Sequence, residues 1–267
     1  MFNFLEEYFP RHEENIMHNE GNVELARTTF LKSKRNNLNF LLKKRYEWMN
    51  NYVDGKSVVY ELGAGAGFSK FYINNQNIIL TDIEKKEWIA EKQDALNLNI
   101  KDNSVDVFIC SHMIHHLAYP IDFFLNLKRK LKRGGLIVIQ DINTSVFMRI
   151  ILFLMKHEGY SEKIDVFDKN NIANQVDDPW SANCSIPKLL FSDTKRFESN
   201  TGLKIILNEL NEFLIFPLSG GVIAKTKTIN IPYVILGMID KVDYFLVWLF
   251  PSLFALGRSV VLSYDEI

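Results

Sequence analysis

The stretch from Ser57 to Tyr72 reads Ser-Val-Val-Tyr-Glu-Leu-Gly-Ala-Gly-Ala-Gly-Phe-Ser-Lys-Phe-Tyr. Val58 to Leu62 is a β-branched, apolar run of the kind that forms a buried parallel strand, and glycines at alternate positions follow it. Glycine accepts a positive φ and lets a ligand approach the main chain without meeting a Cβ. Gly63, Gly65 and Gly67, with Ala64 among them, therefore predict a tight loop against a small molecule at the carboxyl edge of a sheet, where open α/β folds bind ligands. A dinucleotide fingerprint, G-x-G-x-x-G, would carry its third glycine one residue later. This chain instead has Glu-x-Gly-x-Gly-x-Gly with the acid at Glu61.

Ile78 to Asp82 reads as a second buried strand closing on an acid, followed by Ile83. Asp82 stands about 20 residues beyond the first glycine, where a carboxylate can accept from two ribose hydroxyls; a strand-end acid or helix cap is the plainer reading. A third strand is expected over Trp88 to Gln93, leading to Asp94-Ala95-Leu96, and a turn at Asp102-Asn103. The fourth, Val105 to Cys110, delivers Ser111-His112-Met113-Ile114-His115-His116-Leu117 to the same sheet edge. Pro120 opens a helix with an apolar side at Ile121, Phe124, Leu125, Leu127 and Leu131; its basic end is expected to stop at Gly134-Gly135. Leu136 to Gln140 is the fifth strand, ending at Asp141.

This succession, from Ser57 to Asn143, resembles the class I S-adenosylmethionine-dependent methyltransferases of the type-11-like kind. The resemblance implies a Rossmann-like α/β sandwich: a mostly parallel seven-stranded sheet with helices on both faces, binding S-adenosyl-L-methionine. It implies that the glycine loop passes beneath the methionine part of the cofactor, with Glu61 near its positively charged end. It also implies that Asp94 and Ala95 meet the adenine. The cofactor-binding set is then Glu61, Gly63, Ala64, Gly65, Gly67, Asp82, Ile83, Asp94, Ala95 and Ser111.

On either side the chain departs from a minimal core. Asn22 to Val53 shows helical spacing at Phe30, Leu31, Leu38, Leu41, Leu42, Met49 and Tyr52, with Lys32, Lys34, Arg35, Lys43, Lys44 and Arg45 on the remaining surface. Residues 1–53 are expected to form a helical cap with a solvated basic face, or a lid over the site. Residues 54–143 form the cofactor core, and 144–267 a substrate-covering insertion with C-terminal strands and apolar helices of the same domain. The insertion begins with a helix over Phe147 to Met155, and His157 to Ser185 is too long for a plain connector. Leu203 to Leu210 and Arg258 to Ser263 read as an antiparallel pair at the far side of the sheet.

Between them, Ile231 to Leu256 is apolar but interrupted by Asp240, Lys241, Asp243 and Pro251. That leaves an uncharged run of about 14 residues, short of the ~20 needed to span a bilayer. A peripheral membrane contact through Phe245, Trp248 and Phe250 stays open. With His157-Glu158 and Leu218-Ser-Gly-Gly221, this tail resembles methyltransferases from bacterial surface-polysaccharide gene clusters.

Composition sets the outer bounds. With 267 residues, 47% of them hydrophobic, the chain can bury one sizeable core. A net charge of -1 argues against nucleic-acid binding by phosphate neutralisation. Two cysteines, Cys110 and Cys184, give no disulfide framework, and Met1 to Pro10 has no basic and apolar signal pattern. The cytosol is the expected location, with the inner membrane face as a peripheral option.

An acceptor hydroxyl needs help losing its proton, and histidine is the usual base. His116, His157 with Glu158 as orienter, and His112 are the candidates, while His115 and His116 also read as a packed helix entry. No metal is expected, because too few ligands converge in sequence. The leading reading is O-methylation of a sugar or glycan, free, nucleotide-linked or lipid-linked. A quinone-type C-methyltransferase is its enzymatic rival, and a non-catalytic cofactor-binding regulator is the alternative of another class. Oligomeric state is left open.

Overall fold

The computed structural model describes residues 6–10, 22–33, 35–156, 158–223 and 228–264. A seven-stranded sheet organises it. Its strands are β2 (Val59–Leu62), β3 (Ile78–Asp82), β4 (Glu91–Lys92), β5 (Val105–Ser111), β6 (Leu131–Ile142), β8 (Lys204–Asn211) and β9 (Gly257–Ser263), in the order β4-β3-β2-β5-β6-β9-β8. From β4 to β6 all pairs are parallel, and β9 runs antiparallel to both of its neighbours. This is the expected Rossmann-like α/β sandwich, with the chain's last strand slotted between β6 and β8.

Both faces of the central strands are buried, which is why they are continuous apolar runs. On β5, Phe108 and Cys110 face one core and Val107 and Ile109 the other; on β6, Ile137 and Ile139 oppose Val138 in the same way. The first core is covered by α4 (Pro120–Lys130), α6 (Ile186–Ser192) and α7 (Thr194–Thr201), through Phe123, Phe124, Leu127, Leu190, Phe191 and Phe197. The second is covered by α1 (Val23–Ser33), α2 (Asn36–Glu47) and α3 (Asn50–Val53), through Val23, Phe30, Leu42, Tyr46 and Val53. A third cluster joins α5 (Val146–Met155) to the C-terminal helices α9 (Tyr233–Leu249) and α10 (Pro251–Phe254).

Several expectations are corrected. The third strand is only Glu91–Lys92, a short edge held by Ala90 N–H on the Leu80 carbonyl and Gln93 N–H on the Asp82 carbonyl (both 2.9 Å); Trp88 lies outside it. Helix α4 ends at Lys130 and not at the glycine pair, because Leu131 already has extended backbone and starts β6. Gly134 and Gly135 instead lie where β6 shifts register against β5. Arg45 is not on a wet face. Its guanidinium makes two 2.7 Å bonds to Glu212, and each side chain is 4% exposed.

Asp243, which interrupts the apolar tail, is also buried. It accepts from the backbone N–H groups of Phe213, Leu214 and Ile215 at 2.9–3.2 Å, capping the short helix α8 (Ile215–Ser219). Opposite it, α9 exposes Ile235, Met238, Val242, Phe245 and Leu249, an apolar stripe in alternating steps of three and four. Among the described residues no helix is long and apolar enough to cross a membrane. An unexpected two-stranded ribbon, β1 (Glu7–Tyr8) with β7 (Tyr160–Ser161), ties the N-terminal segment to the insertion.

Candidate active site

The glycine loop follows β2 with Gly63, Gly65 and Gly67 at φ 63°, 49° and 64°. An L-residue pays steric strain in that region. At Gly63 a Cβ would also lie 2.9 Å from Cβ of Met113. The loop is held from several sides. Gly65 N–H donates to Asp82 Oδ2 (2.8 Å), Ala64 N–H to the Thr81 carbonyl (2.9 Å), Trp88 Nε1–H to the Gly65 carbonyl (2.8 Å), and Arg27 to the Ala66 carbonyl (2.6 Å). Glu61 sits fully buried beneath it. Its Oε2 accepts from the Ser69 hydroxyl, its Oε1 has no partner, and burial raises its pKa to about 8.

Above the loop lies a cavity of about 610 Å³ along the carboxyl ends of β2, β3 and β5. Gly63, Ala64, Gly65 and Ala66 floor it, and Asp82, Ile83, Asp94, Ala95 and Leu96 close one end. Asp94 is fixed by an Asx turn, its Oδ1 accepting from Leu96 N–H at 2.9 Å. The insertion contributes Gln175, Asp177, Asp178 and Trp180 to the lining. One apolar wall comes from α5, through Met148, Ile151, Leu152 and Met155.

The segment after β5 brings the histidines into this cavity. His112 has φ 52°, a strained conformation for a non-glycine residue, and lines the cavity with its Nε2 buried and without a hydrogen-bond partner. Burial and the nearby Arg45 charge lower its pKa to about 3, so it is neutral at physiological pH. His115 Nδ1 meets Asp141 Oδ1 at 2.5 Å, and its Nε2 lies 3.7 Å from Glu158 Oε1. Burial opposes a charge on His115, but Asp141 and Glu158 outweigh it and raise its pKa to about 10. His116 Nδ1 faces the Ser181 carbonyl at 3.2 Å and its Nε2 lies 3.9 Å from Glu158 Oε1; burial and His115 lower its pKa to about 4.

Residues 60–139 match the family model described as "Methyltransferase domain". The chain carries a methyltransferase domain of the class I S-adenosylmethionine-dependent kind. Among solved structures, a SAM dependent methyltransferase from Archaeoglobus fulgidus superposes with TM-score 0.50 at 20% identity, over 84% of this chain and 93% of that one. The YcgJ protein from Bacillus subtilis gives 0.43 at 15% identity (86% and 99% covered), and the [4+2]-cyclase SpnF gives 0.46 at 13% (86% and 80%). At these identities the likeness is one of fold. No curated protein sequence matches the chain.

The methyltransferase's own residues fit S-adenosylmethionine. A side-chain-free floor, a carboxylate at the end of β3 and an acid-alanine pair beyond β4 line one continuous cavity. Asp82 would hold the ribose, Asp94 and Ala95 the adenine, and Gly63 to Gly65 the methionine portion, with Ser111 opposite. Glu61 and Gly67 do not line the cavity. Glu61 supports the loop through Ser69, and Gly67 turns the chain where a Cβ would meet Trp88 at 2.8 Å. His157 lies outside the described residues.

Two contributors are not singled out from sequence: Arg45 and Tyr46, which line the cavity from α2. A signal for Arg45 existed: it stands four residues after Leu41 and three after Leu42, on the helix's apolar face.

Proposed function

We propose that this methyltransferase acts on a hydroxyl oxygen of a sugar or glycan carrying an apolar group. The observation that carries the reading is the insertion end of the cavity, where Trp180, 41% exposed, stands beside Asp177, Asp178 and Gln175. An indole face suits the C–H face of a sugar ring, and carboxylates and amides suit its hydroxyls. This end is built in advance: Trp180 N–H donates to Asp178 Oδ1 at 2.9 Å and Gln175 N–H to the Ser181 hydroxyl at 3.1 Å. The α5 wall supports an apolar aglycone. Its inner face lines the cavity while Phe153 and Leu154 are exposed on the outside.

S-adenosylmethionine supplies an activated methyl group, so the chain's task is to position the acceptor and remove its proton. His112 is the proton acceptor in this reading. It lines the cavity beside the glycine loop and its Nε2 is not committed to a protein group; being neutral but weakly basic, it takes the proton only as the oxygen–methyl bond forms and the hydroxyl becomes strongly acidic. His116 is instead turned toward Glu158 by the Ser181 carbonyl.

The α5 wall also favours a second reading, carbon methylation of a lipophilic quinone. Labelled methyl transfer to lipid-linked glycans, simple glycosides and hydroxyquinones separates the two, with the product linkage read by mass spectrometry. A methyl ether on a sugar is expected. Label on a quinone ring carbon with none on any sugar refutes the proposal, and a cell extract that takes up no label marks a non-catalytic binder. His112→Gln is expected to lower kcat by roughly 10²- to 10⁴-fold without weakening S-adenosylhomocysteine binding.

A further inference from the structure

Three side chains of the cavity wall converge on one point, and the rest of the site does not require that. One donor atom each from His115, His116 and Glu158 lies within 4.8 Å of the other two. The histidines come from the turn after β5 and the glutamate from the segment after α5, so the fold assembles the group from two separate stretches. Sequence alone offered too few ligands because Glu158 is remote in the chain from the histidine pair.

The groups behind these donors form a complete supporting shell. His115 presents Nε2 because its Nδ1 is engaged by Asp141, which itself accepts from the backbone N–H of Ile114 (2.9 Å) and Ile142 (2.7 Å). His116 presents Nε2 because its Nδ1 faces the Ser181 carbonyl. Glu158 presents Oε1 while its Oε2 accepts from Cys184 Sγ at 3.2 Å. A ligating imidazole almost always gives its second nitrogen to a carboxylate or carbonyl, which fixes tautomer and ring orientation. Both rings here meet that condition.

Spacing agrees as well. Bonds of 2.0–2.1 Å to one tetrahedral ion put donors about 3.4 Å apart. The 3.7 and 3.9 Å separations from Glu158 to the two rings need to close by only a few tenths of an ångström, and the two ring donors, within 4.8 Å of each other, by at most about 1.4 Å. Two imidazoles and one carboxylate leave a position open, and all three residues line the cavity, so that position can face the acceptor.

We propose that His115, His116 and Glu158 form a binding site for one divalent first-row transition-metal ion, with Zn²⁺ the best match to two imidazoles and a carboxylate. Its open position takes an oxygen of the acceptor and lowers that hydroxyl's pKa, a role that rests on the hydroxyl acceptor proposed above. The competing account is a charged His115 bridging Asp141 and Glu158 with no ion.

The full-length chain, stripped of metal by a chelator, is titrated with Zn²⁺ by calorimetry and with Co²⁺ by visible absorption, without acceptor or cofactor. One equivalent is expected, with cobalt bands of a tetrahedral or five-coordinate site. Glu158→Gln and His116→Ala should each weaken binding at least about tenfold while S-adenosylhomocysteine affinity reports an intact fold. His112→Gln should leave ion binding unchanged. Absence of stoichiometric binding, or binding that survives both Glu158→Gln and His116→Ala, overturns the site. Because the readout needs no acceptor, a bound ion with no sugar methylation would refute the acceptor proposal and leave the metal site standing.

Discussion

Replacing Gly65 by alanine separates the loop's backbone requirement from its contact with the cofactor. Gly65 has φ 49°, and a Cβ built on it would meet Val23 Cγ1 at 3.5 Å and the Gly63 carbonyl at 4.0 Å, both ordinary contacts. The folded protein therefore bears only the left-handed strain, about 1–2 kcal/mol. For a chain of this size that corresponds to roughly 2–8 °C in melting temperature. Bound and free protein carry that strain equally, so strain alone does not change affinity.

Affinity changes for another reason: Gly65 floors the cavity, and the added methyl enters space assigned to the cofactor. Overfilling a packed contact costs about 1–3 kcal/mol, a loss of about 5- to 150-fold in binding. Gly55 is the control. It has φ 71°, no atom within 4 Å of a built Cβ, and no place in the cavity, so Gly55→Ala should lower the melt and leave affinity unchanged. Calorimetric titration with S-adenosylhomocysteine, alongside a melt without ligand, measures both quantities. A folded Gly65→Ala protein that binds with wild-type affinity would refute the placement of the cofactor on this loop.

Asp82→Ala removes both the carboxylate at the ribose position and the 2.8 Å brace on Gly65 N–H, and calorimetry should show S-adenosylhomocysteine affinity falling at least about tenfold, or ~1.4 kcal/mol. Arg45→Met leaves Glu212 buried without its partner and should destabilise the fold by about 3–5 kcal/mol in denaturant melts; Arg45→Met with Glu212→Leu should recover much of it. Glu212 also sets an acid limit. Burial alone would raise its pKa, but Arg45 holds it below the ordinary value, so its contribution is complete above the unfolded value of about 4.3 and is lost as pH falls through the folded one. Denaturation midpoints followed from pH 6 to 3 should therefore drop more steeply in wild type than in the Arg45→Met, Glu212→Leu double variant.

The parts legible in the sequence are those whose residues are neighbours in the chain. Strands β2, β3 and β5 announce themselves because burial on both faces demands continuous apolar runs, and the glycine loop because positive φ at three alternate positions demands glycine there. The buried charges were harder. In sequence Arg45 follows Lys43 and Lys44 and suggests one wet surface with them, although a helix turns each residue about 100° from the next and places Arg45 with Leu41 and Leu42. Asp243 was hidden in the same way: the buried face of α9 is Leu236, Asp243 and Val247, and the carboxylate is there to cap another helix. The partners themselves could not be read at all, since Arg45 and Glu212 are 167 residues apart.

That division has a chemical consequence for the enzyme. The cofactor half of the cavity stands on strand ends and loops braced by backbone hydrogen bonds, so its geometry is fixed by the sheet. The part of the cavity proposed for the acceptor comes from α5 and from residues 158–181, and the latter carry only one two-residue strand and are held by side-chain contacts such as Asn174 Nδ2 on the His115 and Leu117 carbonyls (2.8 and 3.1 Å) and Asn183 Oδ1 under Ser161 N–H (2.9 Å). Such a segment can change its cavity-facing residues without disturbing the sheet. Trp180→Ala should therefore raise the acceptor KM while leaving S-adenosylhomocysteine affinity and the melting temperature near wild type. Equal losses in all three would mean that the insertion is part of the cofactor scaffold, and that acceptor choice is not confined to it.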